Sequence, residues 1–285
     1  MKQYIYLILL FFMNLSFYAQ VKCVVKDSLT KQVIPFATIY IENTNQSLVT
    51  NGNGAFLMPN FDSNSMISIT SVGYQKKKIL FKNNIEILLK PIVYELQEVS
   101  VSNKVKNKTL EIGLTKDKYL QAFENGSKFE IKFFPYFQIY KKINYIKSVA
   151  FHTENKIEKA TFKIHFYTVG SNGLPEKDML DRDCIVTVKK GTRKTTFNML
   201  YLNLQIPSTG IFVGFEKLHI ESNQFEKKNF DGTQIQKSYN PNIFYNRVEK
   251  MAQFVFSEEK WNKKSNKDGS SFIFNEPAIY LTLTN

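Results

Sequence analysis

The side chains that could do chemistry in this sequence of 285 residues are few. Its three histidines, His152, His165 and His219, each fall in a segment with the alternation of a β-strand. A zinc or acid–base site needs imidazole and carboxylate groups at a spacing that lets them converge. No histidine is followed three residues later by glutamate, and no His-Glu-x-x-His motif, nucleophile elbow or phosphate-binding loop occurs. The sequence therefore predicts no catalytic residue, no metal site and no cofactor.

Four carboxylates, Glu176, Asp178, Asp181 and Asp183, form an acidic cluster in an otherwise basic chain. They lack the alternating Asp-x-Asp-x-Asp-Gly pattern of a strong calcium loop, so we expect a solvated loop here. Carboxylates matter in a second way, because glycosidases place two of them across a cleft, and a β-sandwich can supply such a pair from separate strands. A carbohydrate-active hydrolase with paired carboxylates in the second domain is therefore the alternative function.

The single tryptophan lies in the basic stretch Lys260-Trp261-Asn262-Lys263-Lys264. An exposed tryptophan beside ammonium groups can stack on a sugar ring and contact an acidic glycan. A core tryptophan with lysines on its solvent side would instead be purely structural. The sequence gives Trp261, Lys263 and Lys264 as the candidate ligand-binding residues.

The formal net charge is +13, yet only 3 of the 38 basic residues are arginine. Proteins that read bases or phosphates favour the planar guanidinium of arginine, so nucleic acid is not expected as a partner. The lysine excess accompanies many Asn, Ile, Phe and Tyr residues, which is typical of an AT-rich genome. It also suits attraction to an anionic molecule. The expected partners are an anionic glycan or an envelope protein.

Residues 1–19 have the organisation of a secretory signal peptide: Lys2, then an apolar run, then Ala19 at the exit. The run is shorter than the roughly 20 apolar residues of a transmembrane helix, and no later stretch approaches that length. We therefore expect an exported protein, in the periplasm, at the outer-membrane surface or in the medium, with no transmembrane segment after cleavage. Cys23 and Cys184 are expected to be two separate buried thiols, with one disulfide between them as the alternative in an oxidising compartment.

Residues 20–102 have the pattern of a small all-β domain. Alternation with a period of two predicts strands at residues 21–25, 36–41, 55–58, 66–70, 79–81, 85–89 and 99–101. Gly52 and Gly54 predict a tight hairpin turn, and Gly73 predicts a bend. Seven short strands with turns at this spacing predict a β-sandwich.

Four short motifs stand out in this segment. Their residues are Pro35, Ala37 and Ile41; Thr50, Gly54 and Phe56; Val72, Gly73 and Tyr74; and Leu96, Glu98, Val99 and Val101. Together they resemble the carboxypeptidase-like regulatory domain, a transthyretin-like sandwich common in exported proteins of Bacteroidetes. The resemblance implies a domain without catalytic residues of its own. Two positions depart from the family pattern, since Asn51 replaces an aspartate that could hold an ion and Cys23 replaces a glycine.

Residues 103–128 form a linker or transition segment: residues 103–108 are polar and basic, and residues 109–127 have an ambiguous pattern in which residues 116–123 fit one or two helical turns. Residues 129–285 return to a strand pattern. The predicted strands are residues 129–134, 145–153, 160–169, 184–190, 195–206, 210–220, 234–239, 253–257, 271–275 and 278–284. Up to ten strands predict a jelly-roll-like sandwich. This region also resembles the uncharacterised segment that follows the regulatory domain in other Bacteroidetes proteins, which implies no activity.

The segment at residues 160–169 shows the strand period most clearly. One face carries Phe162, Ile164 and Phe166, and the opposite face carries Lys163, His165 and Tyr167. The sequence thus predicts an exported all-β protein, with a small transthyretin-like sandwich followed by a larger jelly-roll-like one. Its expected function is that of a non-catalytic binding or structural module of the cell envelope.

Overall fold

The computed structural model describes most of the chain after residue 20. The described residues are 21–44, 46–58, 65–82, 86–92, 108–113, 120–122, 128–228, 235–250, 252–257 and 260–285. These residues form 21 strands and three short 3-10 helices, at Gln138–Lys142, Leu200–Leu202 and Glu221–Asn223, and contain no α-helix. None of their helices is long and apolar enough to cross a membrane. The all-β prediction is confirmed.

The first seven strands form a two-layer sandwich. Their bounds are β1 Val21–Asp27, β2 Thr38–Ile41, β3 Ser47–Val49, β4 Ala55–Met58, β5 Met66–Thr70, β6 Lys77–Leu80 and β7 Glu86–Leu89. One sheet has the order β4-β1-β7 and the other β3-β2-β5-β6, and the only parallel pair among them is β1 with β7. The closing motif at residues 96–101, including the strand predicted at residues 99–101, lies outside the described residues.

Alternating side chains build the core of this sandwich. Cys23 and Val25 of β1 pack with Ile39, Ile67 and Ile87, all of them buried. This contact explains why the period-two pattern predicted these strands. The burial of these side chains contributes about 1.5–3 kcal/mol for each large aliphatic residue.

Thr50, from the second motif, forms hydrogen bonds with the backbone of the loop that precedes β2. Its hydroxyl donates a hydrogen bond to the carbonyl of Ile34 at 2.9 Å and accepts one from the amide of Ala37 at 2.8 Å. Because Thr50 is completely buried, these two bonds satisfy backbone groups that water does not reach. The second motif therefore orders the chain between β1 and β2.

The remaining strands build a larger domain. Their bounds are β8 Thr109–Ile112, β9 Leu120–Ala122, β10 Phe129–Phe134, β11 Tyr145–Val169, β12 Pro175–Asp178, β13 Cys184–Asn198, β14 Ile211–Lys217, β15 Gln224–Lys228, β16 Ile235–Tyr239, β17 Asn242–Lys250, β18 Gln253–Ser257, β19 Lys260–Lys264, β20 Phe272–Pro277 and β21 Ile279–Thr284. Ten of them form one curled sheet with the main order β10-β14-β11-β17-β20. Two separate ribbons, β15–β16 and β18–β19, complete the domain.

Strand β11 is the central strand of the curled sheet. It runs for 25 residues, although the sequence predicted two strands with a break between them. A register shift between Asn155 and Lys159 lets its ladder with β13 continue through that break. The predicted faces of residues 160–169 are confirmed: Phe162, Ile164 and Phe166 enter the core of the domain.

The segment predicted as a linker contributes two strands to the larger sheet. β8 pairs with β21, and β9 pairs with β17. Within the ambiguous residues 116–123, Leu120–Ala122 is therefore a strand and not the helical turn that its pattern also fitted. Backbone pairing with the edge of a distant strand decides the conformation of such a short segment, because its own helix propensity is weak.

The sandwich packs directly on the larger domain. Phe36 and Val49 of the sandwich contact the buried side chains of Leu218 and Ile220. The turn after β5 approaches even more closely, because a Cβ placed on Gly73 would lie 2.3 Å from the carbonyl oxygen of Asp181. Gly73 also has a φ of +85°, which favours glycine. The third motif of the sandwich is therefore part of the interdomain contact.

The two cysteines lie in different cores. Cys23 is buried in the sandwich and Cys184 in the larger domain, and both are free thiols. Burial raises the pKa of Cys23 to about 11. The prediction of two separate buried thiols is confirmed.

Candidate ligand-binding cleft

A cleft of about 600 Å³ lies between the two domains. The sandwich supplies β2 and the turn after β5, and the larger domain supplies β10, β11, β12, β14 and the β18–β19 ribbon. The residues that line it are Thr38, Tyr40, Thr70, Ser71, Val72, Gly73, Tyr74, Lys76, Ile92, Phe129, Lys163, His165, Tyr167, Glu176, Lys177, Asp178, Leu180, Glu216, Phe256 and Trp261.

Three neighbouring strands build the floor of this cleft. Register places Phe129 beside Glu216 and Glu216 beside Lys163, so their side chains share one face of the sheet. Two residues further along, His165 lies opposite Gly214. A Cβ on Gly214 would lie 3.0 Å from the ring of Phe129 and 3.2 Å from the Cβ of His165. The missing side chain leaves room for both rings, whose centroids are 4.9 Å apart.

His165 is the centre of a hydrogen-bonded group on this floor. Its Nδ1 lies 2.8 Å from Oδ2 of Asp178, and its Nε2 lies 3.0 Å from Oε2 of Glu216. The second oxygen of Glu216 accepts a hydrogen bond from the Thr38 hydroxyl of the sandwich at 2.7 Å. Both ring nitrogens and both oxygens of Glu216 therefore have partners.

The protonation states of this group follow from burial and from these partners. Burial would lower the pKa of His165, but hydrogen bonds to Asp178 and Glu216 outweigh it and raise the pKa to about 9. Burial would likewise raise the pKa of Glu216, but Lys163 and then His165 hold it well below its usual range. Near neutral pH the group is therefore an imidazolium between carboxylates, and it donates from both nitrogens.

A second buried ion pair lies beside the first. Nζ of Lys163 is 3.1 Å from Oδ1 of Asp183, and the Ser71 hydroxyl of the sandwich donates to Oδ2 of Asp183 at 3.1 Å. The side chain of Lys163 is 2% exposed. Removing such charges from water is costly unless each has a partner, and here Lys163 and Asp183 pair with each other. The hydrogen bond from Ser71 to Asp183 links this pair to the sandwich.

Aromatic side chains line the side of the cleft next to its charged floor. Trp261 of β19 lies opposite Phe256 of β18, with ring centroids 4.9 Å apart. The same indole contacts Phe129 edge-on at 5.2 Å and lies 6.1 Å from Tyr167. Trp261 is half-buried, so part of its ring remains accessible from the cleft.

The three residues predicted to bind a ligand do not form one patch. Trp261 lines the interdomain cleft, whereas Lys263 lines a different cavity. Lys264 is exposed and, one position further along the strand, points to the opposite face of the ribbon. The period of the strand therefore separates residues that are adjacent in sequence.

The acidic cluster is solvated only in part: Glu176 and Asp181 are exposed, as the sequence predicts, whereas Asp178 and Asp183 are partly buried. Asp178 pairs with His165 and Asp183 pairs with Lys163, and these two carboxylate side chains are 16% and 12% exposed, whereas the side chain of Asp181 is 73% exposed. Spacing could not reveal these pairs, because both partners lie on another element, β11; Asp178, for example, is 13 residues from His165 in the sequence. One feature of the sequence could have indicated these pairs, namely the polar face of residues 160–169. If that strand is central in a sheet, its lysine and histidine side chains are buried and therefore need carboxylate partners.

The other two histidines make ring contacts. His152 packs on Phe244 with centroids 4.7 Å apart, and His219 stacks on Tyr239 at 4.5 Å. Burial, then Lys194, lowers the pKa of His152. Among the described residues, no group of three or more His, Cys, Asp or Glu side chains is arranged to hold a metal ion.

One comparison with known proteins gives a match. Residues 21–118, roughly a third of the chain, match the family described as the CarboxypepD_reg-like domain. No curated protein and no solved structure matches the chain. The matched segment contains all seven strands of the sandwich and extends through β8. The protein therefore has a CarboxypepD_reg-like domain of transthyretin-like fold, followed by a larger curled β-sheet domain.

Proposed function

We propose that this protein is an exported, non-catalytic binding module of the cell envelope and that it holds a glycan in the interdomain cleft. The observation that carries the proposal is the half-buried indole of Trp261 in the wall of a cavity of about 600 Å³. Ligand sites of this size combine apolar walls with a few fixed polar groups. The cleft has both.

A sugar ring suits this lining because it has an apolar C–H face and a hydroxyl-bearing edge. Trp261 and Tyr167 supply aromatic surface for the first. Glu176 and Lys177, which lie at the same cavity, supply charged hydrogen-bonding groups for the second. The net charge of +13 favours a glycan that carries carboxylates.

The alternative is a carbohydrate-active hydrolase, for which Asp178 and Glu216 would be the paired carboxylates of the second domain. Hydrolysis requires one carboxyl group that gives a proton and one that acts as base or nucleophile. His165 bridges the two side chains, and Glu216 is held ionised with both oxygens occupied. These contacts favour binding over hydrolysis.

Export rests on the signal-peptide pattern of residues 1–19, which lie outside the described residues. Bacteroidetes-type envelope placement rests on the sequence motifs of the sandwich. Cell fractionation and N-terminal sequencing of the native protein test both. A mature chain that begins at residue 20 in an envelope fraction supports the proposal, and an unprocessed cytoplasmic chain contradicts it.

Because Trp261 is the only tryptophan, its fluorescence reports directly on the cleft. The mature chain is titrated with uronic-acid oligosaccharides and with neutral gluco-oligosaccharides. A saturable change in emission with the acidic series is the expected result. Calorimetry should then show that Trp261→Ala loses at least roughly tenfold in affinity, as expected for a stacked aromatic anchor. The matched control is Lys264→Ala, on the other face of the same strand, which should bind like the parent protein.

An unchanged affinity in Trp261→Ala would contradict binding at the cleft, and no response to either series would contradict glycan binding altogether. The same samples are assayed for newly formed reducing ends. Release of reducing ends that disappears in Glu216→Gln would instead establish the hydrolase.

A further inference from the structure

A second cavity, of about 430 Å³, lies between the two end strands of the main order of the curled sheet. Strands β10 and β20 are at opposite ends of the main strand order, yet they approach one another across this cavity. The start of the β18–β19 ribbon covers it. Its lining shares no residue with that of the interdomain cleft.

The walls of this cavity are mainly apolar. The apolar residues in its lining are Ile131, Phe133, Ala252, Phe254, Phe274 and Pro277. Phe133 and Phe254 have ring centroids 6.2 Å apart, so the ribbon packs over β10 through aromatic contact. This surface suits a hydrocarbon group, since each buried methylene contributes about 0.8 kcal/mol.

Ammonium groups collect at the same cavity. Lys132 of β10 pairs with Oε2 of Glu276 of β20 at 2.9 Å, and Lys250 pairs with Oε1 of Glu276. Lys263 of β19 lies opposite Phe254 of β18 and supplies a third ammonium group to the cavity. Two lysines that share one carboxylate, with a third beside them, leave an excess of positive charge.

The fifth ionisable group of this lining does not cancel that excess. Glu130 accepts a hydrogen bond from the Tyr245 hydroxyl at 2.7 Å. Burial raises the pKa of Glu130 to about 7, against the opposing effects of Tyr245 and Lys217. Near neutral pH a large share of Glu130 is therefore uncharged.

We propose that this cavity is a second binding site, for an amphipathic molecule with an apolar chain and an anionic head group. The chain lies between the aromatic side chains of β10 and the ribbon. The head group lies against the ammonium groups of Lys250 and Lys263, which have exposed side chains at the cavity. The site is independent of the glycan cleft, and either can exist without the other.

The test measures binding of dodecanoate and of dodecyltrimethylammonium to the mature chain by calorimetry, below the concentrations at which either forms micelles. Saturable binding of one dodecanoate per chain, with no binding of the cationic probe, is the expected result. Lys263→Glu should weaken dodecanoate roughly fivefold to tenfold, as for a partly exposed ion pair that is reversed. Its matched control, Lys264→Glu, should leave the affinity unchanged.

Ala252→Phe tests the cavity itself, because the added ring occupies the space that the chain would fill. It should abolish dodecanoate binding while the response of Trp261 to oligosaccharides persists. Equal affinities for the anionic and cationic probes, or retained binding in Ala252→Phe, would overturn the proposal. Dodecanoate bound in the presence of saturating oligosaccharide further separates this site from the cleft.

Discussion

Replacing His165 with glutamine removes the central cation of the cleft floor and tests the charge assignment there. In the folded chain the pKa of His165 is raised to about 9 by hydrogen bonds that outweigh its burial, whereas the unfolded value is 6.5. The stabilisation that this proton provides is complete below pH 6.5. It is lost as pH rises towards 9, because the unfolded chain then holds fewer protons than the folded one.

The magnitude follows from those two values. Each pH unit between them changes the free energy of unfolding by about 1.4 kcal/mol. The interval from pH 6.5 to about 9 therefore corresponds to about 3 kcal/mol. A change of this size is a large part of the stability of a typical domain.

Urea unfolding at several pH values between 6 and 9.5, followed by Trp261 fluorescence, measures the effect. The difference in unfolding free energy between the parent chain and His165→Gln should shrink by about 3 kcal/mol over that range. Comparing the two chains cancels the titration of groups that are common to both. An NMR titration of the His165 ring, with its midpoint near pH 9, provides a direct check.

His152→Gln is the matched control on the same strand. Burial lowers the pKa of His152, so its contribution has the opposite sign: it is lost as pH falls and is constant above pH 6.5. A difference between the parent chain and His165→Gln that does not change from pH 6.5 to 9 would refute the ionised floor. So would a His165 midpoint near 6.5.

Two further predictions concern the interdomain contact and the cores. Gly73→Ala should destabilise the chain by about 1–3 kcal/mol in urea unfolding, because of its positive φ and its approach to Asp181, whereas Gly52→Ala, with open space around it, should change stability by under about 0.5 kcal/mol. Cys23 and Cys184 should react with a thiol reagent only after unfolding, and rapid modification of either in the native protein would contradict their burial.

Local alternation was sufficient to predict many strands. The bounds of β4, β5, β10 and β18 agree with the predicted ranges to the residue. In β5 and β10, apolar residues alternate with polar ones over most of the strand, so the period of two shows in the sequence itself, whereas β4 and β18 are short runs rich in apolar and aromatic residues. The same reasoning placed Phe162 and His165 on opposite faces of one strand.

Other strands carry no such pattern. Asn242–Lys250 was not predicted, because its buried positions include Asn242 and Asn246. Asn242 is buried because it accepts a hydrogen bond from Nζ of Lys217 at 2.6 Å. Lys260–Lys264 is a strand because it pairs with β18. In both cases a partner distant in sequence supplies what the segment lacks.

The amino-acid sequence determined the all-β architecture and six of the seven strands of the sandwich, all except β3, because short-range alternation and turn residues govern these features. The tertiary structure alone decided where charge could be buried. Thr38 and Glu216 are 178 residues apart. The cost of burying Glu216 is offset by Lys163, by His165 and by the Thr38 hydroxyl, which only the folded chain brings together. A binding cleft between two domains is set by such long-range pairs, and no local pattern encodes them.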